Sequence, residues 1–132
     1  MDISKVGVVG CGLMGSGIAQ VAAQAGFEVA VREAGPDLLE KGLARIRKSL
    51  DTAVARGKLP AEDAAAALGR IRGVTALEEF GDRDLVVEAV TESLAAKRVV
   101  FASLDAICPA QTILASNTSS LSIAELAAFT RR

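Results

Sequence analysis

The stretch KVGVVGCGLMGSGIAQVAAQAGFEVAVRE at positions 5–33 constrains the fold more than any other feature of the chain. Lys5 to Val9 is a short apolar run, broken by Gly7, that reads as a buried strand. Gly12 to Ala25 carries Leu13, Ile18, Val21 and Ala22 at helical spacing, and Gly26 is placed to stop that helix. Phe27 to Val31 supplies a second strand, with Arg32 and Glu33 at its end. Between strand and helix, Gly10, Gly12 and Gly15 form G-x-G-x-x-G. Gly10 permits the tight turn, Gly12 lets a pyrophosphate approach the backbone, and Gly15 lets helix and sheet pack closely. Three glycines alone are a weak signal. Their place between a strand and a helix, with an acid 23 positions after Gly10, makes this a dinucleotide-binding βαβ unit.

The loop predicts its own ligand chemistry. Phosphate oxygens there meet free N–H groups and the positive end of the helix dipole, so Cys11, Leu13 and Met14 join the three glycines as cofactor-binding positions. Glu33 is placed to accept hydrogen bonds from the adenosine ribose, and its charge repels the 2′-phosphate of NADP, which favours NAD. Arg32 argues the other way, because an arginine at this edge suits a 2′-phosphate or a stacked adenine equally well. Cys11 has no base or cationic partner in its local sequence and reads as a small buried residue rather than a thiolate.

Strands and helices alternate along the remaining chain. Asp37 to Arg56 follows Gly35-Pro36 as one long helix, with Leu39, Leu43, Ile46, Leu50 and Val54 three or four apart and Gly57 closing it. Arg45, Arg47, Lys48, Arg56 and Lys58 make this the most basic stretch, which suits a solvated face or an anionic ligand. A shorter helix is expected over 61–68, a strand over 71–75 and a stronger strand over 84–90. Ser93 caps a helix from Leu94 to Ile107 that Pro109 ends, and Thr112 to Ala115 is a further strand. Ser122 and Glu125 have capping-box spacing for a last short helix. Aromatic residues are only 3% of the chain, so the core must be Val, Ile, Leu and Ala. The order predicts an α/β, Rossmann-type doubly wound, mostly parallel sheet with helices on both faces, as one domain over 1–132.

Composition removes several function classes. A net charge of −1 gives no general attraction to nucleic acid or to an anionic membrane. No uninterrupted apolar run is long enough for a membrane span, and no signal-peptide pattern opens the chain. Two cysteines without a CxxC pair, and no histidine, leave no metal site and make a cytoplasmic setting the expectation.

A second polar cluster falls where open α/β sheets bind ligands, beyond the carboxyl ends of the strands. Glu88 lies within VVEAV, Glu92 just past it, and Lys97 one turn into the next helix. Surface charge explains Glu92 and Lys97 as well as function does, whereas a carboxylate at Glu88, if buried, needs partners. The SNTSS run at 116–120 supplies four hydroxyls and an amide, suited to a ligand or to an ordinary turn. Hydride transfer from an alcohol needs a base, most often histidine, and the sequence holds none.

GCGLMGSGIAQ at 10–20, VREA at 31–34, LVVEAVTE at 85–92 and ILASNTSSLSI at 113–123 together resemble the L-3-hydroxyacyl-CoA dehydrogenase family, especially its bacterial 3-hydroxybutyryl-CoA branch. The resemblance implies that Gly10 to Gly15 bind pyrophosphate and that Glu33 stands where the family commonly has Asp. It implies that Glu92 and Lys97 contact the nicotinamide half of NAD. It further implies that Ser119 lies near both nicotinamide and the substrate 3-oxygen, and that Asn117 holds the shape of that loop. Ser49 and Arg56 match positions that contact coenzyme A, where the family often has Lys in place of Arg. The family histidine lies in an HFFNP-type segment beyond Ser119, and a helical C-terminal domain forms the acyl pocket and the homodimer. The expectation is therefore an NAD-binding domain of a larger dehydrogenase acting on acyl-CoA, with little turnover alone. A β-hydroxyacid dehydrogenase or a non-catalytic nucleotide-binding module is the alternative.

Overall fold

A computed structural model describes residues 1–132. Five parallel strands, β1 (Lys5–Val9), β2 (Glu28–Arg32), β3 (Ile71–Val74), β4 (Leu85–Glu88) and β5 (Ile113–Ser116), form one sheet in the order β3-β2-β1-β4-β5. The helices are α1 (Leu13–Gln24), α2 (Pro36–Ala55), α3 (Ala61–Gly69), α4 (Leu94–Ile107) and α5 (Ile123–Ala127). The chain builds outward from β1 to β3, then returns to β1's other side with β4. That return puts a topological switch between β1 and β4, where doubly wound sheets bind ligands.

Side-chain alternation sorts the core into two layers. Val6, Val8, Val29 and Val31 face α1, α2 and α3, where they pack with Ile46, Leu50, Ala19 and Ala23. Val9, Ala30, Val86 and Val74 face the other way and pack with Val100 and Leu104 of α4 and with Phe80. Phe80 ends a single 3-10 turn, Leu77–Phe80, which the sequence reading missed. Gly7 makes room for it, since a Cβ there would lie 3.0 Å from the Phe80 ring.

One element differs in its buried face. The buried residues of α1 are Gly15, Ser16, Ala19 and Ala23, with Ile18 and Ala22 half-buried against the same core. Leu13 and Val21 are 77% and 67% exposed. Small residues let α1 lie close on the sheet, and the larger ones border an open apolar groove of 620 Å³ shared with Leu85 and Val87 of β4. No helix is long and apolar enough to cross a membrane.

Candidate cofactor site at the carboxyl edge of the sheet

The carboxyl ends of the strands are knitted together by the segments that leave them. Gly10 N–H donates to Arg32 C=O, Ala89 N–H to Val9 C=O, and Asn117 N–H to Glu88 C=O, each at 2.8 Å. The glycine loop, the Glu33 corner, the turn after β4 and the SNTSS loop therefore share one edge. Ser49 and Arg56 do not join it; both are exposed along α2, seven residues or about 10 Å of helix apart.

The glycines of the loop differ in what demands them. Gly10 has φ of 104°, and a Cβ on it would lie 2.6 Å from the Ala89 carbonyl oxygen. A Cβ on Gly15 would overlap the Gly10 carbonyl. Gly12 meets nothing within 4 Å, so the protein itself does not require glycine there. The space in front of it is what a pyrophosphate needs.

The start of α1 has the same character. Gly12 is its N-cap, no side chain caps it, and its first turn holds no acid. Ser93 Oγ accepts from Ala96 N–H at α4 and Ser122 Oγ from Glu125 N–H at α5, while α2 and α3, also without a side-chain cap, carry Asp37 and Glu62 with Asp63 in their first turns. The orphan amides of α1 are left for an anion. Leu13 and Met14 contribute those amides, while their side chains are exposed.

Glu33 completes this side. Its Oε2 accepts from Cys11 N–H at 2.9 Å, which fixes the carboxylate against the loop and leaves Oε1 for a ribose. Arg32 donates Nε to Thr75 C=O at 2.9 Å, so its guanidinium is tied to the end of β3. Cys11 is 2% exposed, and burial with the nearby Glu33 charge pushes its thiol up to about 11. It is the small, inert residue the sequence suggested. Two neighbours went unforeseen. Arg45 donates to Cys11 C=O at 3.3 Å, and a Cβ on Gly42 would overlap the Cys11 sulfur, so α2 braces the loop from outside. Helical periodicity shows which residues face inward but not which distant loop they meet.

On the other side of the switch point, strand alternation places Glu88 on the same face as Val86, under α4. Glu88 is fully buried, and Lys97, 1% exposed, donates to it from the first turn of α4. Lys97 is therefore no surface charge. Glu88 also accepts from Val90 N–H at 2.7 Å and from Ser116 Oγ at 2.6 Å. Glu92 stands 3.5 Å from Lys97 and accepts from Thr118 Oγ1 at 2.8 Å and Ser120 Oγ at 3.3 Å. Its carboxyl is held below the usual range, first by the Thr118 hydroxyl and then by Lys97. Asn117 and Ser119 are exposed on this edge. No group of three or more His, Cys, Asp or Glu is arranged to hold a metal.

Residues 5–132 match the family described as 3-hydroxyacyl-CoA dehydrogenase, NAD binding domain. The chain belongs to this family. A probable 3-hydroxybutyryl-CoA dehydrogenase of Bacillus subtilis is 47% identical across all of this chain, which spans 46% of that relative's length. The crystal structure of M. tuberculosis FadB2 superposes with a TM-score of 0.97 at 47% identity, over 99% of this chain and 46% of that one. A 3-hydroxyadipyl-CoA dehydrogenase of Escherichia coli is 41% identical over 97% of this chain and 27% of its own length. The loop and corner described above are thus an NAD-binding domain's, and the β-hydroxyacid alternative falls. The uncapped α1 terminus and the open space at Gly12 suit NAD's pyrophosphate.

Proposed function

We propose that this domain is the cofactor half of an NAD-dependent enzyme interconverting L-3-hydroxyacyl-CoA and 3-oxoacyl-CoA, with 3-hydroxybutyryl-CoA the first choice of substrate. The observation that carries the reading is the uncapped start of α1 standing beside Glu33, whose carboxylate is already bonded to the loop amide of Cys11. In this reading the amides from Gly12 to Gly15 hold pyrophosphate, that of Cys11 being taken by Glu33, and Glu33 Oε1 takes the ribose hydroxyls. Exposed Asn117 and Ser119 flank the nicotinamide half, with Ser119 also donating to the substrate 3-oxygen. Glu92 and Lys97 shape the floor of that half. Bound NAD supplies the hydride acceptor. Ser49 and Arg56, on the open side of α2, take the coenzyme A portion, where a guanidinium suits phosphate.

The chain holds no histidine, so we assign the proton acceptor to the remainder of a longer protein, in a helical C-terminal domain that completes the acyl pocket and a homodimer. The apolar groove between α1 and β4 offers that domain a seat. The 3-hydroxybutyryl and 3-hydroxyadipyl relatives share this domain, which supports placing acyl-chain choice outside it. Both cysteines are buried and unpaired, in keeping with the reducing cytoplasm.

The test uses the cofactor's own emission, which no Trp or Tyr of the chain obscures. Titration should show NADH binding at least about tenfold tighter than NADPH, a preference of about 1.4 kcal/mol. NADPH binding as tightly as NADH would remove Glu33 from the role given to it. The isolated domain should not oxidise NADH with acetoacetyl-CoA, and robust turnover would overturn the assignment of the base to another domain.

A further inference from the structure

We propose that Glu88 is a positioning residue that sets the phase of the Ser116–Ser120 loop, turning Asn117 and Ser119 toward the nicotinamide side of the site. The proposal rests on the reading of this edge as an NAD site and adds to it a residue that touches neither cofactor nor substrate.

The loop's polar groups divide by position. Ser116, Thr118 and Ser120 direct their hydroxyls onto Glu88 or Glu92; Ser116 and Thr118 are half-buried, while Asn117, Ser119 and Ser120 are exposed and only Ser120 of these three is bonded to a carboxylate. Ser116 ends β5 and the chain bends at Ser119–Leu121, so fastening Ser116 and Thr118 on the inner side leaves Asn117 between them, and Ser119 at the bend, on the outer side. Two fastenings of different depth hold this phase. The outer one is Glu92, at the surface. The inner one is Glu88, without exposure, whose Oε1 takes the Ser116 hydroxyl while Oε2 takes Lys97 and the Val90 amide. Ser116 Oγ in turn accepts from Thr118 N–H at 3.1 Å, carrying the constraint one residue further. The same carboxylate thus joins the turn after β4, the first turn of α4 and the loop after β5. A buried carboxylate held on both oxygens has no freedom to drift, and side chains supported in this way hold a site to a fraction of an ångström.

The consequence is specific to half of the cofactor. Glu88→Gln keeps the volume but turns one acceptor oxygen into a donor and leaves buried Lys97 with only Glu92 as its counter-charge. The affinity for NADH should fall about tenfold, the scale expected on removing a buried charged partner. ADP-ribose, which has the adenosine and pyrophosphate but no nicotinamide, should bind within about twofold of the unaltered chain, since its side of the switch point is untouched. Ser116→Ala should act in the same direction with a smaller loss. Both ligands are measured by calorimetry on the full 132-residue chain.

Equal loss of NADH and ADP-ribose, or no loss of either, would overturn the proposal. If Glu88→Gln does not fold, Ser116→Ala, which removes the hydroxyl that Glu88 holds, carries the test: NADH loss with ADP-ribose retained supports it, and unchanged NADH binding overturns it. An unaltered chain that bound neither ligand would overturn the reading of the site, and the proposal with it.

Discussion

At the residue scale, the three glycines of one motif answer to different forces, and substitution separates them. Gly15 is fixed by the protein, because a Cβ there would overlap the Gly10 carbonyl, which is backbone and cannot swing aside. Gly15→Ala should destabilise the fold by about 3 kcal/mol, the upper end of ordinary overpacking, as read by urea denaturation. Gly12→Ala meets nothing within 4 Å, and its φ of −75° suits any residue. Its stability should change by no more than about 0.5 kcal/mol while NADH affinity falls at least about tenfold. Retained NADH binding in Gly12→Ala would show that the open space before the loop is not the pyrophosphate site. The motif was legible in sequence because its spacing is fixed by a single turn. The bracing of Cys11 by Gly42 and Arg45 was not, since those contacts span about thirty residues of chain and leave no local pattern.

At the element scale, helix α1 shows that periodicity finds a helix without finding all of its buried face. Leu13, Ile18, Val21 and Ala22 mark the helix by their spacing, and Ile18 and Ala22 do pack half-buried on the core, but a helix that begins at a tight glycine turn must lie close on the sheet, and small residues govern that approach. Gly15, Ser16, Ala19 and Ala23 are the buried ones. Ala23→Leu should therefore destabilise by about 1–3 kcal/mol through overpacking, whereas Val21→Gln, at a position 67% exposed, should stay within about 0.5 kcal/mol. Reversed magnitudes in urea titrations followed by circular dichroism would mean that α1 packs through its bulky face. Helix α4 is the opposite case. Ser93, Leu94, Ile107 and Pro109 marked its ends in the sequence, and Ser93 does cap it. Its Lys97 remained ambiguous because the partner that buries it, Glu88, belongs to a strand, and only the parallel β1–β4 pairing brings that strand face under α4.

At the scale of the whole molecule, the fold is closed by carboxylates whose charged form it favours, and this fixes its response to acid. Asp105 is lowered to about 2, chiefly by the Arg132 guanidinium and then by the amide and side chain of Arg131. Arg132 also donates to the carbonyls of Pro109 and Thr112 at 2.8 Å, so one clasp holds the segment after α5 against the end of α4. Asp84 is lowered by the amides of Ser4 and Lys5, which tie the starts of β4 and β1. Asp82 is lowered by Arg83 and then Lys5. A carboxyl with a folded pKa below its unfolded value contributes stability that is complete above the unfolded value and lost as pH falls through the folded one. The urea midpoint should thus be level from about pH 7 to 5 and fall steeply between about pH 4 and 2. Asp105→Asn should lower the midpoint at pH 7 and lower it much less at pH 2, where Asp105 has itself lost about half of its charge. An equal deficit at both pH values would assign the clasp to hydrogen-bond geometry alone. A deficit that shrinks on acidification locates the stabilisation in the charge that Arg132 faces.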